Sequence, residues 1–249
     1  MLLVRDLNLH IGGLKILNDL SFDVQDGSIT GLIGPNGAGK SSFYNVLFNL
    51  FPASGGSIKL DGIELIGKTP DQISHLGIAR TFQDSKLLPQ ITVLENMLLS
   101  SKYLNPVNLR RVFFGGGILS EEFENEKKKA RVLLKKVGLE DKEHSLAKNL
   151  SYGQSKLIET LRLFMYESKL VLMDEPFSGL FPEMIKVIKG LIRELVASGR
   201  TLMFVEHDMK LIAEICDHVI VLDAGSKIAE GTFEHVKTKP EVIEAYLGD

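Results

Sequence analysis

Gly34-Pro35-Asn36-Gly37-Ala38-Gly39-Lys40-Ser41 fills every fixed position of the G-x-x-x-x-G-K-[ST] phosphate-binding loop. The apolar run from Ile29 to Ile33 precedes it and reads as a strand, and Ser42 to Phe48 follows as the start of a helix. That strand–loop–helix setting separates a phosphate loop from an ordinary glycine-rich turn ahead of a helix. Glycines let the backbone curl until successive N–H groups point at one anion. The helix start adds the positive end of its dipole. Lys40 then reaches the outer phosphates of a nucleotide, and Ser41 ligates Mg2+.

The 249 residues suit one large domain or two small ones. With 44% hydrophobic and 24% charged residues, the chain can build a core without covalent staples. A net charge of −3 and a pI near 6.1 give no electrostatic case for nucleic acid, which asks for a basic face. Cys216 is the single cysteine, so no internal disulfide forms, and reduced cytosol is the simplest setting. Met1-Leu2-Leu3-Val4-Arg5-Asp6 lacks the basic start and long apolar run of a secretory signal. No stretch approaches the roughly 18 apolar residues of a membrane span. If the protein works at a membrane, it does so from the side, through partners.

Val4 to His10 and Leu20 to Val24 alternate apolar and polar residues like half-buried strands, with turns at Gly12-Gly13 and Asp26-Gly27. Ser57 to Leu60, ahead of Asp61-Gly62, adds a short strand, and together these predict a small antiparallel layer. Thr92 is the expected N-cap of a helix opening at Val93-Leu94-Glu95-Asn96. Pro106 and Gly115-Gly116-Gly117 mark a loop. Ser120 to Val137 reads as a long amphipathic helix with Phe123, Ala130, Leu133, Leu134 and Val137 on its apolar side. Lys127-Lys128-Lys129 sits among Glu121, Glu122, Glu124 and Glu126, so a solvated face is the better reading than a nucleic-acid patch. Beyond that, Leu170–Met173, Thr201–Val205 and His218–Leu222 read as strands. Glu183–Ala197, Met209–Cys216 and Pro240–Leu247 read as helices. Strand–helix alternation predicts an α/β fold with a mainly parallel sheet.

Leu170-Val171-Leu172-Met173-Asp174-Glu175 puts two carboxylates at the end of a buried strand. Ligands of such sheets bind at the carboxyl ends of strands. Asp174 there holds Mg2+ near the nucleotide phosphates. Glu175, one residue further out, polarises an attacking water.

Leu150-Ser151-Tyr152-Gly153-Gln154 comes next in the argument, about 20 residues upstream of that strand. With it the chain resembles the ATP-binding-cassette (ABC) ATPases, whose signature is L-S-G-G-Q with an L-S-Y-G-Q variant. The resemblance covers almost the whole chain, with the motifs in the family's order. Gln83 falls at the family's glutamine loop and His207 at its switch histidine. The resemblance implies a P-loop NTPase (RecA-like) core with an N-terminal antiparallel β layer and an inserted helical subdomain over roughly residues 84–155, in one ABC domain spanning 1–249. It implies ATP as ligand on Gly34, Pro35, Asn36, Gly37, Ala38, Gly39, Lys40, Ser41 and Ser42, with Mg2+ on Ser41, Gln83 and Asp174. Glu175, His207 and Gln83 are the implied catalytic residues. Two cassettes sandwich two ATP molecules, and Ser151, Gly153 and Gln154 of one reach the γ-phosphate held by the other.

Gly77-Ile78-Ala79-Arg80-Thr81-Phe82-Gln83, Leu88-Pro89, Thr92 to Asn96 and the ending Pro240 to Gly248 resemble the cassettes of branched-chain amino acid importers. This implies transmembrane permease subunits as partners, a second cassette that is the same or different, and an external solute-binding protein that acts indirectly. The implied location is the cytoplasmic face of the cell membrane, as a peripheral subunit. Three features depart from the family, one of them Ser155-Lys156 after Gln154, where many members have a basic pair. Ile11 stands where many cassettes stack an aromatic residue on adenine, and Phe181 stands where the loop after Glu175 ends in Asp or Asn. The Ile11 and Phe181 departures motivate a competing expectation, a nucleotide-binding regulator with little turnover. A soluble non-transport ABC ATPase is the other, disfavoured by the acidic pI and by the lack of a second cassette.

Overall fold

A computed structural model describes residues 1–81, 87–101 and 118–247. They form two compact units, one from Met1–Arg80, Lys169–Pro176 and Glu194–Asp249, the other from Thr81–Ser168 and Phe177–Arg193.

The first unit holds two sheets. In the antiparallel one, β1 (Leu2–Ile11) pairs with β2 (Leu14–Val24) and with β4 (Gly55–Leu60), and β4 with β5 (Ile63–Glu64). Both β1 and β2 run longer than their alternation suggests. Register shifts between Val4 and Leu7, Leu7 and Leu9, and Leu9 and His10 break the period of two. Asp6 and Asp19 take left-handed backbone there, each with φ 47°. Asp61-Gly62 makes a tight hairpin between β4 and β5, since both residues have positive φ.

The second sheet runs β10-β9-β3-β8-β7-β6, with β3 (Ile29–Ile33), β6 (Ile78–Arg80), β7 (Leu170–Asp174), β8 (Thr201–Val205), β9 (His218–Asp223) and β10 (Ser226–Gly231). Every pair in it is parallel except β9 with β10. All residues of β3, β7 and β8 are buried, which is why they read as unbroken apolar runs. Strands β6 and β10 escape sequence reading. The first is three residues long, and the second hides behind the tight turn Ala224-Gly225.

Two helices of this unit follow the early strands. Helix α1 (Lys40–Leu47) leaves the phosphate loop and buries Phe43, Tyr44 and Leu47 in a core shared with Leu2, Leu9, Phe22, Leu172, Met203 and Ile220. Phe22 meets Phe43 edge-on at 5.1 Å between ring centres. Helix α2 (Pro70–His75), unforeseen from periodicity, starts with a capping box between Thr69 and Gln72.

Helices build the second unit: α3 (Val93–Leu98), α4 (Ile118–Lys136), α5 (Tyr152–Met165) and most of α6 (Pro182–Ala197). Thr92 caps α3 as expected, its hydroxyl accepting from the Glu95 N–H while Glu95 accepts from the Thr92 N–H at 2.7 Å. Fully buried Asn96 donates to the carbonyls of Leu88 and Thr92 and accepts from the Leu88 N–H, folding the preceding loop onto α3. Helix α4 starts two positions before the expected Ser120 and buries Ala130, Leu133 and Leu134. Lys127 pairs with Glu124 at 2.6 Å, and Lys128 and Lys129 are exposed, so the lysine run is a solvated face. Back in the first unit, α7 (Met209–Ile215), α8 (Phe233–Val236) and α9 (Pro240–Leu247) complete the chain. Among the described residues no helix is long and apolar enough to cross a membrane.

Candidate functional site

Strand β3 delivers the phosphate loop through Gly34, whose φ of 151° and closeness to β9 admit no side chain. A Cβ there would lie 2.1 Å from the Leu222 carbonyl oxygen. The loop folds on itself through the Ala38 N–H, which donates to the Pro35 carbonyl at 3.2 Å. Asn36 and Gly37 are exposed at its crest, while Ala38, Gly39 and Lys40 are buried. Gly39, with φ 99°, is the N-cap of α1 and brings no side-chain oxygen to the helix's first N–H groups. Ser41 and Ser42 occupy the first turn, with Ser41 exposed.

Lys40 is buried, and its Nζ donates to the carbonyls of Gly34 at 2.7 Å and Pro35 at 2.8 Å. Burial pulls its pKa below the usual lysine value, opposed by the negative charges of Glu175 and Asp174. A buried ammonium held by backbone carbonyls beside an uncapped helix start is a cradle for a polyanion. The loop therefore fits a nucleotide triphosphate.

Asp174 ends β7, buried, with Oδ2 3.5 Å from Arg80 Nη2 at the end of neighbouring β6. Glu175 follows with left-handed backbone at φ 46°, its N–H donating to the Val205 carbonyl at 3.0 Å. His207, two residues past β8, places Nε2 3.1 Å from Glu175 Oε1. The expected acid and the expected histidine, 32 positions apart in sequence, thus meet at the ends of adjacent strands. Among the described residues no group of three or more His, Cys, Asp or Glu forms a metal cage. The oxygens present, Ser41 and Asp174, suit Mg2+, which binds through one or two protein oxygens plus substrate phosphates.

In the second unit Ser151 is the N-cap of α5. Its Oγ accepts from the Gln154 N–H at 3.3 Å, and Gln154 Oε1 accepts from the Ser151 N–H at 2.9 Å. The box uses acceptors, so the serine O–H and the glutamine NH2 keep donor capacity for an anion. Gly153 has a packing reason to be glycine that the sequence does not reveal: a Cβ would lie 2.1 Å from Met184 Sδ. Ile11 closes β1 at 45% exposure, facing Leu14 across the turn. Phe181 is 76% exposed just before α6. Gln83 lies outside the described residues. Arg80 is the site residue that the sequence reading quoted but gave no role.

Comparison with known proteins agrees with this arrangement. The family model described as ABC transporter matches residues 17–178, and one described as branched-chain amino acid ATP-binding cassette transporter matches residues 226–249. The chain is 35% identical to the high-affinity branched-chain amino acid transport ATP-binding protein BraF of Pseudomonas aeruginosa, over 99% of this chain and 97% of the other. It is 39% identical to the probable branched-chain amino acid transport ATP-binding protein LivG of Archaeoglobus fulgidus, over 100% and 95%. A nucleotide-free ATP-binding cassette from an ABC transporter superposes with a TM-score of 0.84 at 32% identity, covering 100% of this chain and 99% of that one. A cassette in its ADP conformation gives 0.84 at 33% identity, with the same coverage.

Proposed function

This chain belongs to the ABC transporter family, as an ATP-binding and ATP-hydrolysing cassette, and on that premise we propose that it energises an importer of branched-chain amino acids or a related small polar solute. The cargo class rests on the names of its full-length relatives and on the match of residues 226–249. The hydrolytic assignment rests on one contact, Glu175 Oε1 to His207 Nε2 at 3.1 Å, in the same compact unit as the phosphate loop.

Gly34 to Ser42 bind the nucleotide: backbone N–H groups and Lys40 hold its phosphates, and Ile11 gives the base an aliphatic contact. Ser41 and Asp174 hold Mg2+, which when bound neutralises phosphate charge. A carboxylate offers about four lone-pair sites, so Glu175 accepts from His207 and also takes up a proton from water. Before nucleotide binds, His207 fixes the orientation of Glu175 through its Nε2–H; with nucleotide bound, that N–H turns to the outer phosphate. Gln83, which lies outside the described residues, is assigned to the catalytic and Mg2+-binding set by the family's glutamine loop alone. Ser151, Gly153 and Gln154 act on a nucleotide held by a second cassette. The helical unit docks on permease subunits, which places the protein at the cytoplasmic face of the membrane.

Phosphate release by Glu175→Gln tests the assignment. Loss of a positioned general base lowers turnover about 10²–10⁴-fold, while nucleotide binding persists and a dimer accumulates on a sizing column. Equal turnover in both proteins removes Glu175 from its role.

A further inference from the structure

Arg80 closes the three-residue strand β6 with a buried guanidinium. Nη1 donates to Asn45 Oδ1 at 3.1 Å. Nη2 stands 3.5 Å from Asp174 Oδ2, and the two charged side chains are 7% and 10% exposed. The guanidinium carbon lies 5.4 Å from the ring centre of Tyr44 and 5.8 Å from that of Phe48. Tyr44 is itself pinned, its hydroxyl donating to the Met203 carbonyl at 3.0 Å.

These contacts share a direction. Tyr44 and Asn45 are in α1, and Phe48 is its C-cap, so the arginine is anchored on the helix that begins with Lys40 and Ser41. Its far side faces the carboxylate at the end of β7. A planar guanidinium stacked on aromatic faces is rigid. It therefore passes the position of α1 to Asp174. A side chain needed only to fill space would not require charge here, where desolvation opposes it. The 3.5 Å separation exceeds a direct hydrogen bond of about 2.7–3.2 Å. The pair therefore acts on the carboxylate as an ion pair, biasing its direction by charge.

We propose that Arg80 is a positioning residue for metal-dependent nucleotide binding: it aims the Asp174 carboxylate at the cation that accompanies the phosphates on α1. The inference rests on the reading of Asp174 as a Mg2+ ligand. It differs from that reading in naming the group that orients the ligand, a class of partner whose loss typically costs metal affinity about 10–100-fold.

The test is a titration with a trinitrophenyl analogue of ATP, once with Mg2+ and once with EDTA. The ratio of the two dissociation constants isolates the metal's contribution without reference to turnover. Arg80→Met is expected to shrink that ratio about tenfold while leaving affinity in EDTA nearly unchanged. Arg80→Lys restores part of it, because charge returns without the planar fork. Asn45→Ala keeps the arginine but loosens its anchor, and is expected to shrink the ratio about threefold, one net hydrogen bond. An unchanged ratio in folded Arg80→Met, or an equal loss with Mg2+ and with EDTA, makes Arg80 a packing residue and overturns the inference alone. If Arg80→Met does not fold, an unchanged ratio in Asn45→Ala does the same. A ratio of one in the unaltered protein overturns the metal assignment of Asp174, and the inference with it.

Discussion

Helices α1 and α5 begin in opposite ways. The first opens on Gly39, with no side chain over its terminal N–H groups; the second opens on Ser151, whose capping box with Gln154 satisfies two of them. Yet they share one omission. Asp71, Glu95, Glu121, Glu183, Glu234 and Glu241 sit in the first turns of α2, α3, α4, α6, α8 and α9, and Asp208 caps α7. Carboxylates there stabilise a helix by about 0.3–1 kcal/mol through its dipole. Among the described α-helices, α1 and α5 alone have none at either place. Both starts stay positive, and they differ in whether the chain already satisfies its own donors. Substitution at the open start should therefore register in ligand binding, and at the closed start in stability unless charge is added.

Lys40→Ala gives the largest effect. It removes the charge-assisted bonds that the ammonium makes to the phosphates, about 1.5–3 kcal/mol each, so nucleotide affinity falls roughly 100-fold by titration, while the melting temperature falls only by what the Gly34 and Pro35 carbonyl contacts contribute. A large drop in melting with affinity intact would invert the comparison. Ser151→Asp sharpens it next. Aspartate caps as well as serine, so thermal stability holds, but a carboxylate now faces the anion site and turnover falls at least tenfold. Turnover at the unaltered level would show that α5 receives no anion. Gly153→Ala should register in stability: the new Cβ meets Met184 and overpacking costs about 1–3 kcal/mol. Calorimetry should show recovery when Met184→Ala is added, and no recovery would place the conflict elsewhere.

Glu64 is expected to give the smallest effect and carries the comparison to a second self-satisfied group. Burial alone would raise its pKa, but the Ser57 hydroxyl and the N–H groups of Ile58 and Ile66 outweigh burial and hold it below 4.5. A depressed folded pKa contributes stability that is present above the unfolded value and lost as pH falls through the folded one. Melting temperature against pH should fall off less below about 4.5 in Glu64→Gln than in the unaltered chain. Identical acid limbs would show that these bonds do not hold the carboxylate.

What could be read in the chain follows from how local the physics is. The start of α1 was legible because the phosphate loop occupies a few adjacent residues, Gly34 to Ser41; at α5 the residues Ser151 to Gln154 read only as the family's signature, and their capping box is a finding of the structure. Central strands β3, β7 and β8 were legible because burial on both faces leaves an uninterrupted apolar run. The meeting of Glu175 with His207 depends on the order of β7 and β8, which no local pattern states; family resemblance supplied it. Arg80 had a visible oddity, a charge ending the short apolar run Ile78-Ala79, but its partners lie 35 and 94 positions away. Helix α2 carried its signal openly in Thr69-Pro70-Asp71-Gln72, and was passed over because six residues are too few for a helical period.

The backbone at Glu175 sets durability against chemistry. A residue with a Cβ held at positive φ costs on the order of 1–3 kcal/mol, and glycine relieves that cost. A library of this protein screened for survival of heat alone should therefore drift toward glycine at position 175 and go silent. A screen that also demands ATP turnover should hold the acid in place, strain included. One codon would report which of the two pressures a population had lived under.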